Sequence, residues 1–346
     1  MSDTPEIDRL DDTPHPRETA ALIGHDAAER ALLEAYRSGR IHHAWILGGP
    51  EGIGKATLAY RMAKFVLTHP DPTTTQDCTD LAVPPQVPAA RQVASQSHVD
   101  LKVLRRTLND DRKSFGAVIK VEDVRQAVAF FGSTAGGGGW RIAIVDAADD
   151  FNAAGANALL KVLEEPPARA LFLIVSHQPG RLLPTIRSRC RRLTLEALSA
   201  DDTVRAAALA RPDLPRPALE GAARIAQGSV RRTLVLAEGE GVALHQALLA
   251  LLARLPDIDV AAVHALADRC AGKAGDANFE LMLAFLEDWL HERLTVEQGA
   301  PAHRLARWAE VWDKARDAAR DVEVYNLERK PFVLSTFSML ARASRS

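Results

Sequence analysis

The stretch Gly48-Gly49-Pro50-Glu51-Gly52-Ile53-Gly54-Lys55-Ala56-Thr57 constrains this chain more than any other. A short apolar run, Ala44-Trp45-Ile46-Leu47, precedes it and predicts a buried strand. A helical pattern follows, with Leu58, Ala59, Met62, Phe65 and Val66 on one face. Strand, glycine loop and helix in that order are the context of a phosphate-binding loop. Glycines let the backbone turn its N–H groups inward around a phosphate. Lys55 adds a positive charge, and the new helix points its partly positive end at the same place.

One position departs from the full pattern. Gly49 to Lys55 fits G-x-x-x-x-G-K. The next residue is ordinarily Ser or Thr, whose hydroxyl holds Mg²⁺. Here it is Ala56, and Thr57 lies about 100° further round the helix, a poor substitute. The loop predicts phosphate binding, but it lacks one part that metal-dependent hydrolysis uses.

A length of 346 residues favours two or three domains. The net charge of −2 supplies no global drive toward nucleic acid or membrane, so any such contact needs a local basic patch. No apolar stretch is long enough to span a bilayer, and Met1 to Arg17 is polar and acidic rather than signal-like. The expectation is a cytoplasmic protein with no membrane partner. Cys78, Cys190 and Cys270 are scattered, which argues against a disulfide framework and against a Cys-rich zinc site.

Along the chain, residues 1–17 read as a disordered lead. Leu22-Ile23-Gly24-His25, then Ala28, Leu32, Leu33 and Tyr36, predict a turn and an amphipathic helix. Threonines and prolines mark residues 68–97 as an irregular insertion. His98 to Leu104 predicts a second strand; Val121, Val124, Val128 and Phe131 recur at helical spacing; Gly136 to Gly139 forms a turn. Arg141-Ile142-Ala143-Ile144-Val145-Asp146 predicts a buried strand ending in a carboxylate. In loop-type nucleotide proteins such an Asp helps hold Mg²⁺, although a strand-end Asp is also a common helix-start or turn residue. Cleavage normally uses a second carboxylate beside it to orient water, and the next residue is Ala147. Ala56 and Ala147 together point to a nucleotide site that is weakly hydrolytic or not hydrolytic.

Asn157 to Glu165 predicts a helix stopped by Pro166 and Pro167. Leu171 to Val175 is an apolar strand ending in Ser176-His177, where a terminal phosphate can be sensed; His177 reads first as an ordinary loop histidine. Arg181, Arg187, Arg189, Arg191 and Arg192 form the one dense basic run, either a solvated face or the carrier of an arginine directed at a phosphate. Leu193-Thr194-Leu195 closes the alternation of strand and helix, which predicts a parallel sheet covered on both faces, with ligands beyond the strands' carboxyl ends. After Leu198 only helical patterns follow, with stripes at Leu283, Leu286, Leu290, at Leu305, Trp308, Trp312, Ala315, Ala319, and at Val333, Phe337, Leu340.

The combination resembles the delta-prime family of clamp-loader subunits of bacterial DNA polymerase III, within the AAA+ class, over nearly the whole chain. The residues that carry it are Leu22-Ile23-Gly24-His25, the glycine loop, Asn157 to Pro167, and Ser188-Arg189-Cys190 preceded by Leu183 to Arg187. Gly228-Ser229-Val230-Arg231 resembles the lid motif whose arginine contacts nucleotide. The resemblance implies an AAA+ domain over residues 18–197, a helical lid over 198–240 and an all-α collar over 241–346. It implies that Arg189 acts in trans, as an arginine finger on ATP held by an adjacent ATPase subunit. It implies a hetero-oligomeric ring with ATPase motor subunits and delta, which reaches the sliding clamp and primed DNA through the complex. ATP and Mg²⁺ are the candidate ligands of Gly49, Gly52, Gly54, Lys55, Ala56, Thr57, Asp146, Ser176 and Arg231. Many relatives carry a four-cysteine zinc module after the first helix beyond the loop. Only Cys78 stands there, so no zinc is expected. Some delta-prime chains lack a usable glycine loop, whereas this chain keeps most of one. Two readings compete with a largely non-hydrolysing subunit: a competent motor-type ATPase, and a stand-alone DNA-binding module built on the basic run.

Overall fold

The computed structural model describes residues 6–109, 115–132, 139–272, 275–297, 302–325 and 327–345. Contacts divide the chain into two compact units, Met1–Leu234 and Val235–Ser346.

The first unit runs through α1 (Asp26–Arg37), β1 (Ala44–Gly48), α2 (Lys55–Thr68), α3 (Pro88–Ala94), β2 (Leu101–Leu104), α4 (Val121–Gly132), β3 (Arg141–Val145), α5 (Ala153–Glu164), β4 (Ala170–Ser176), α6 (Pro184–Arg187) and β5 (Arg191–Thr194). Helices α7 (Ala200–Ala210) and α8 (Arg216–Ala223) follow, and α9 (Val230–Glu238) carries the division. The five strands pair in parallel in the order β2-β3-β4-β1-β5. Every residue of β1, β3 and β4 is buried, which is why they read as unbroken apolar runs. Alternation splits their side chains between two cores. Trp45, Leu47, Leu171 and Leu173 meet Leu32, Tyr36, Met62 and Phe65 of α1 and α2. Ala44, Ile46, Phe172 and Ile174 meet Val124, Phe131, Leu159 and Leu163 of α4 and α5. The sheet is thus covered on both faces, the α/β architecture expected from the strand–helix alternation.

Two expectations are corrected. Residues 6–17 do not form a disordered lead. His15 is fully buried, bonds Asp8 Oδ2 at 2.8 Å and accepts from Arg17 N at 3.0 Å. Arg17 pairs with Glu6 at 2.7 Å, and Arg105, just past β2, pairs with Asp8 at 2.7 Å. The polar lead orders because its charges find opposite charges about ninety residues away. Burial alone would raise the Asp8 carboxyl, but His15 and Arg105 bring it down to about 2. The insertion over 68–97 is also more regular than its composition suggests. Pro88 starts α3 at a position where a missing N–H costs nothing, and Ala90 and Val93 bury its inner face. The glycine turn at 136–138 lies outside the described residues.

The second unit is helical: α10 (Gly241–Leu252), α11 (Val260–Arg269), α12 (Asp276–Val296), α13 (Ala302–Val324) and α14 (Arg329–Ser344). Leu286, Leu290, Trp308, Ala315, Ala319, Val333, Phe337 and Leu340 are buried, and Trp289 meets Trp308 edge to face with centroids 5.6 Å apart. The division falls at 234/235 rather than at 240/241. Leu236 packs against Gly241, where an added Cβ would come within 2.6 Å of it, so the end of α9 joins the helical unit. Among the described residues no single helix is long and apolar enough to cross a membrane.

Candidate nucleotide-binding site

The glycine loop leaves β1, an inner strand of the sheet between β4 and the edge strand β5. Gly49 N donates to Ser176 O at 3.3 Å, which ties the loop's start to β4. Gly52 has φ of 74° and accepts at its carbonyl from Val230 N at 2.9 Å. A Cβ there would stand 2.3 Å from Ser229 Oγ and 2.7 Å from Arg231 Cβ. Only glycine lets the 228–231 segment close on the loop. His25 supports the loop from the other side through Nε2 to Ile53 O at 2.7 Å. Burial holds the His25 imidazole below its usual range, so it serves as a neutral strut.

A cavity of about 470 Å³ opens over this loop. Gly52, Gly54, Lys55, Ala56, Thr57, Asp146 and Arg231 line it, together with His177. Lys55 Nζ donates to Gly49 O at 2.7 Å and to Pro50 O. Burial lowers the Lys55 amine to about 8, against the raising effect of Glu51, Asp146 and Asp149. Asp146 is 8% exposed, and its Oδ2 has no hydrogen-bond partner among the described residues. Burial first, and then the charge of Asp8, push its carboxyl up to about 7. A lone buried carboxylate oxygen facing the same cavity as an ammonium fits a phosphate-bound cation. Ala56 adds no hydroxyl, so one of the two protein ligands usual in loop-type NTPases is missing.

Ser176 does not join these residues. Its side chain is fully buried and donates to Asp149 Oδ1 at 3.0 Å. Asp149 also accepts from His177 N at 2.7 Å and Gln178 N at 2.9 Å. Burial alone would raise Asp149, but these bonds hold it below the usual carboxylate range. It therefore acts as a cap on the end of β4. Asp150, the other acid past β3, is paired with Arg106 at 2.8 Å. Sequence reading missed Arg106, Ile7, Leu10 and Pro14 on the cavity wall. Arg106 has one signal, its place just past the end of β2; Ile7, Leu10 and Pro14 have none, because they stand in the stretch read as a disordered lead. The basic run is largely engaged with its own chain: Arg181 donates to Gln178, Arg191 lies over the Trp45 ring, and Arg189 pairs with Glu164 at 2.7 Å.

The raised Asp146 carboxyl makes a pH prediction. The folded chain holds this proton up to about 7, whereas an unfolded Asp releases it near 3.8. Its unfavourable contribution is therefore absent below about 4, grows as pH rises and is complete above about 7. Asp146→Asn should stabilise the nucleotide-free chain at pH 8 by about 2–4 kcal/mol, with the gain shrinking toward pH 4. Denaturant titrations at several pH values check this, and a pH-independent difference would refute it.

A parallel sheet in the order β2-β3-β4-β1-β5, a glycine loop after its inner strand β1, an acid after β3 and a helical segment closing on the loop define a P-loop protein of the AAA+ class. A family model described as DNA polymerase III, delta subunit, matches residues 24–199, just over half of the chain. The chain belongs to that family. It is 36% identical over 187 residues to the DNA polymerase III subunit delta' of Pseudomonas aeruginosa, covering 54% of this chain and 53% of that one. It is 29% identical over 337 residues to the DNA polymerase III subunit tau of Salmonella typhimurium, covering 90% of this chain and 49% of tau. The chain thus spans about half the length of these relatives. A solved DNA polymerase III gamma subunit-related protein from Thermotoga maritima aligns with a TM-score of 0.44 and 16% identity, over 91% of this chain and 99% of that one. The RuvB Holliday junction branch migration motor of the same organism aligns at 0.39 and 18%, over 75% and 76%. At such scores the class rests on strand order and loop, not on superposition.

Proposed function

We infer that this chain is a clamp-loader subunit of DNA polymerase III that binds ATP without efficient turnover and lends Arg189 to a neighbouring subunit's ATP. The observation that carries this is the placement of Arg189. It lies between α6 and β5, is absent from the wall of its own chain's cavity, and its side chain is 34% exposed. A guanidinium so placed is unsuited to its own chain's nucleotide and open to a second protein. Ala56 and Ala147 on the cavity wall support the second half of the reading. In the bound state the loop N–H groups from Gly52 to Thr57 and Lys55 would hold phosphates, Asp146 a Mg²⁺, and Arg231 the outer face of the nucleotide. Bound ATP would supply the negative charge that Lys55 and Arg231 are placed to meet. The partners are ATPase motor subunits and delta in a ring, with the sliding clamp and primed DNA reached through the complex, in the cytoplasm.

The test is steady-state hydrolysis and equilibrium binding of a fluorescent ATP analogue by the isolated chain. Binding with negligible turnover is expected. Turnover on the order of 1 s⁻¹ or more would make it a motor-type ATPase instead. Salt-dependent DNA binding by the isolated chain would point to a stand-alone DNA module.

A further inference from the structure

Arg189 is not free on the surface. Nη1 donates to Thr185 O at 2.9 Å, and Nη2 meets Glu164 Oε1 at 2.7 Å. The two contacts approach the planar group from different elements, α6 and the last residue of α5, and so fix its plane. A guanidinium carries five N–H donors. Nε makes no hydrogen bond or ion pair among the described residues, which leaves donors for an outside acceptor.

Glu164 itself is held firmly. Leu159, Val162 and Leu163 bury the inner face of α5, and Pro166-Pro167 prevents the helix from continuing. A carboxylate in a helix's last turn is electrostatically disfavoured, because the helix end is already partly negative. The side chain is 49% exposed, and an ion pair so exposed adds little to stability. Neither the helix nor the fold gains much from an acid here, whereas Arg189 gains a fixed bearing.

We propose that Glu164 is the positioning residue for Arg189, holding the guanidinium in the orientation that a neighbouring subunit's triphosphate meets. This rests on the reading that Arg189 acts in trans. Orientation set before the reaction lowers the barrier without changing how ATP binds at the neighbouring site. Glu165, one residue on, is exposed and makes no hydrogen bond or ion pair with Arg189 among the described residues, so it is the matched control.

The experiment is ATP hydrolysis by the reconstituted complex carrying Glu164→Ala, Glu165→Ala, Arg189→Ala or Glu164→Ala with Arg189→Ala. Glu164→Ala is expected to lower kcat ~3- to 5-fold with KM little changed, the pattern of lost orientation. Glu165→Ala leaves both constants alone. The double variant is no slower than Arg189→Ala, because both changes remove one device. Melting temperatures of the free chains, matched within a degree or so, exclude a folding effect. Normal or raised kcat in Glu164→Ala, beside a slow Arg189→Ala, overturns the positioning role and leaves the finger standing. A further drop in the double variant also overturns it. Normal kcat in Arg189→Ala overturns the finger itself.

Discussion

Arg189→Ala in the reconstituted complex should cut clamp- and DNA-stimulated ATP turnover by at least ~10-fold, with assembly intact. A single arginine finger contributes roughly 10³–10⁵ at the site it serves, and a loss of that size slows the whole ring when its sites must fire together in one cycle. The substitution costs the chain little. The contacts it removes, with Thr185, Ser188 and Glu164, are all at the surface, where such bonds contribute about 0–1 kcal/mol. Stoichiometry by size-exclusion chromatography, measured beside the rate, separates the two outcomes. A slow complex of normal composition fits a charge delivered to developing negative charge on phosphate. A complex that fails to form would make Arg189 a structural contact.

The second large effect concerns the fold. Glu29 of α1 and Arg61 of α2 form a buried pair, with side chains 8% and 9% exposed. Glu29 Oε1 accepts from Arg61 Nε at 2.8 Å, from Arg61 Nη2 at 2.6 Å and from Leu81 N at 3.2 Å. Arg61 also donates to Ala20 O. One carboxylate oxygen thus joins α1, α2 and the insertion, and its arginine partner holds the segment before α1. Glu29→Ala leaves a guanidinium buried without its counter-charge and should cost roughly 3–5 kcal/mol. For a unit of this size that is a Tm lower by roughly 10 °C. Replacing both residues with Leu or Met should recover much of the loss, because desolvating the charges is then no longer required. Breaking the exposed pair Arg216–Glu220 should change stability by no more than about 0.5 kcal/mol. Equal losses from the two pairs would refute the ranking.

The residues legible in advance were those whose chemistry is local. The glycine loop needs its neighbours only, and so does a strand buried on both faces, as in Ala170–Ser176. The helix over 153–164 ends where two prolines say it must. What sequence could not supply were pairings across long separations. Residues 6–17 look unstructured until Arg105 is placed beside Glu6 and Asp8. Ser176 looks like a phosphate sensor until Asp149 is seen to take its hydroxyl. His25 could be noticed as part of a motif, but its bond to the loop carbonyl needs the fold. The Glu164–Arg189 pair joins two segments that sequence analysis singles out separately, and nothing in their spacing says that they touch.

An open five-stranded sheet has two rims, and β5 forms one of them. A rim offers unsatisfied backbone groups to any passing extended segment, which makes it the place where chains stick together wrongly. Arg191 and Arg192 stand exposed along β5, with Arg191 pinned over the Trp45 ring at 4.9 Å. Two like charges side by side repel a second copy of the same rim. The same pair of charges therefore guards this edge against sheet-to-sheet association of two copies.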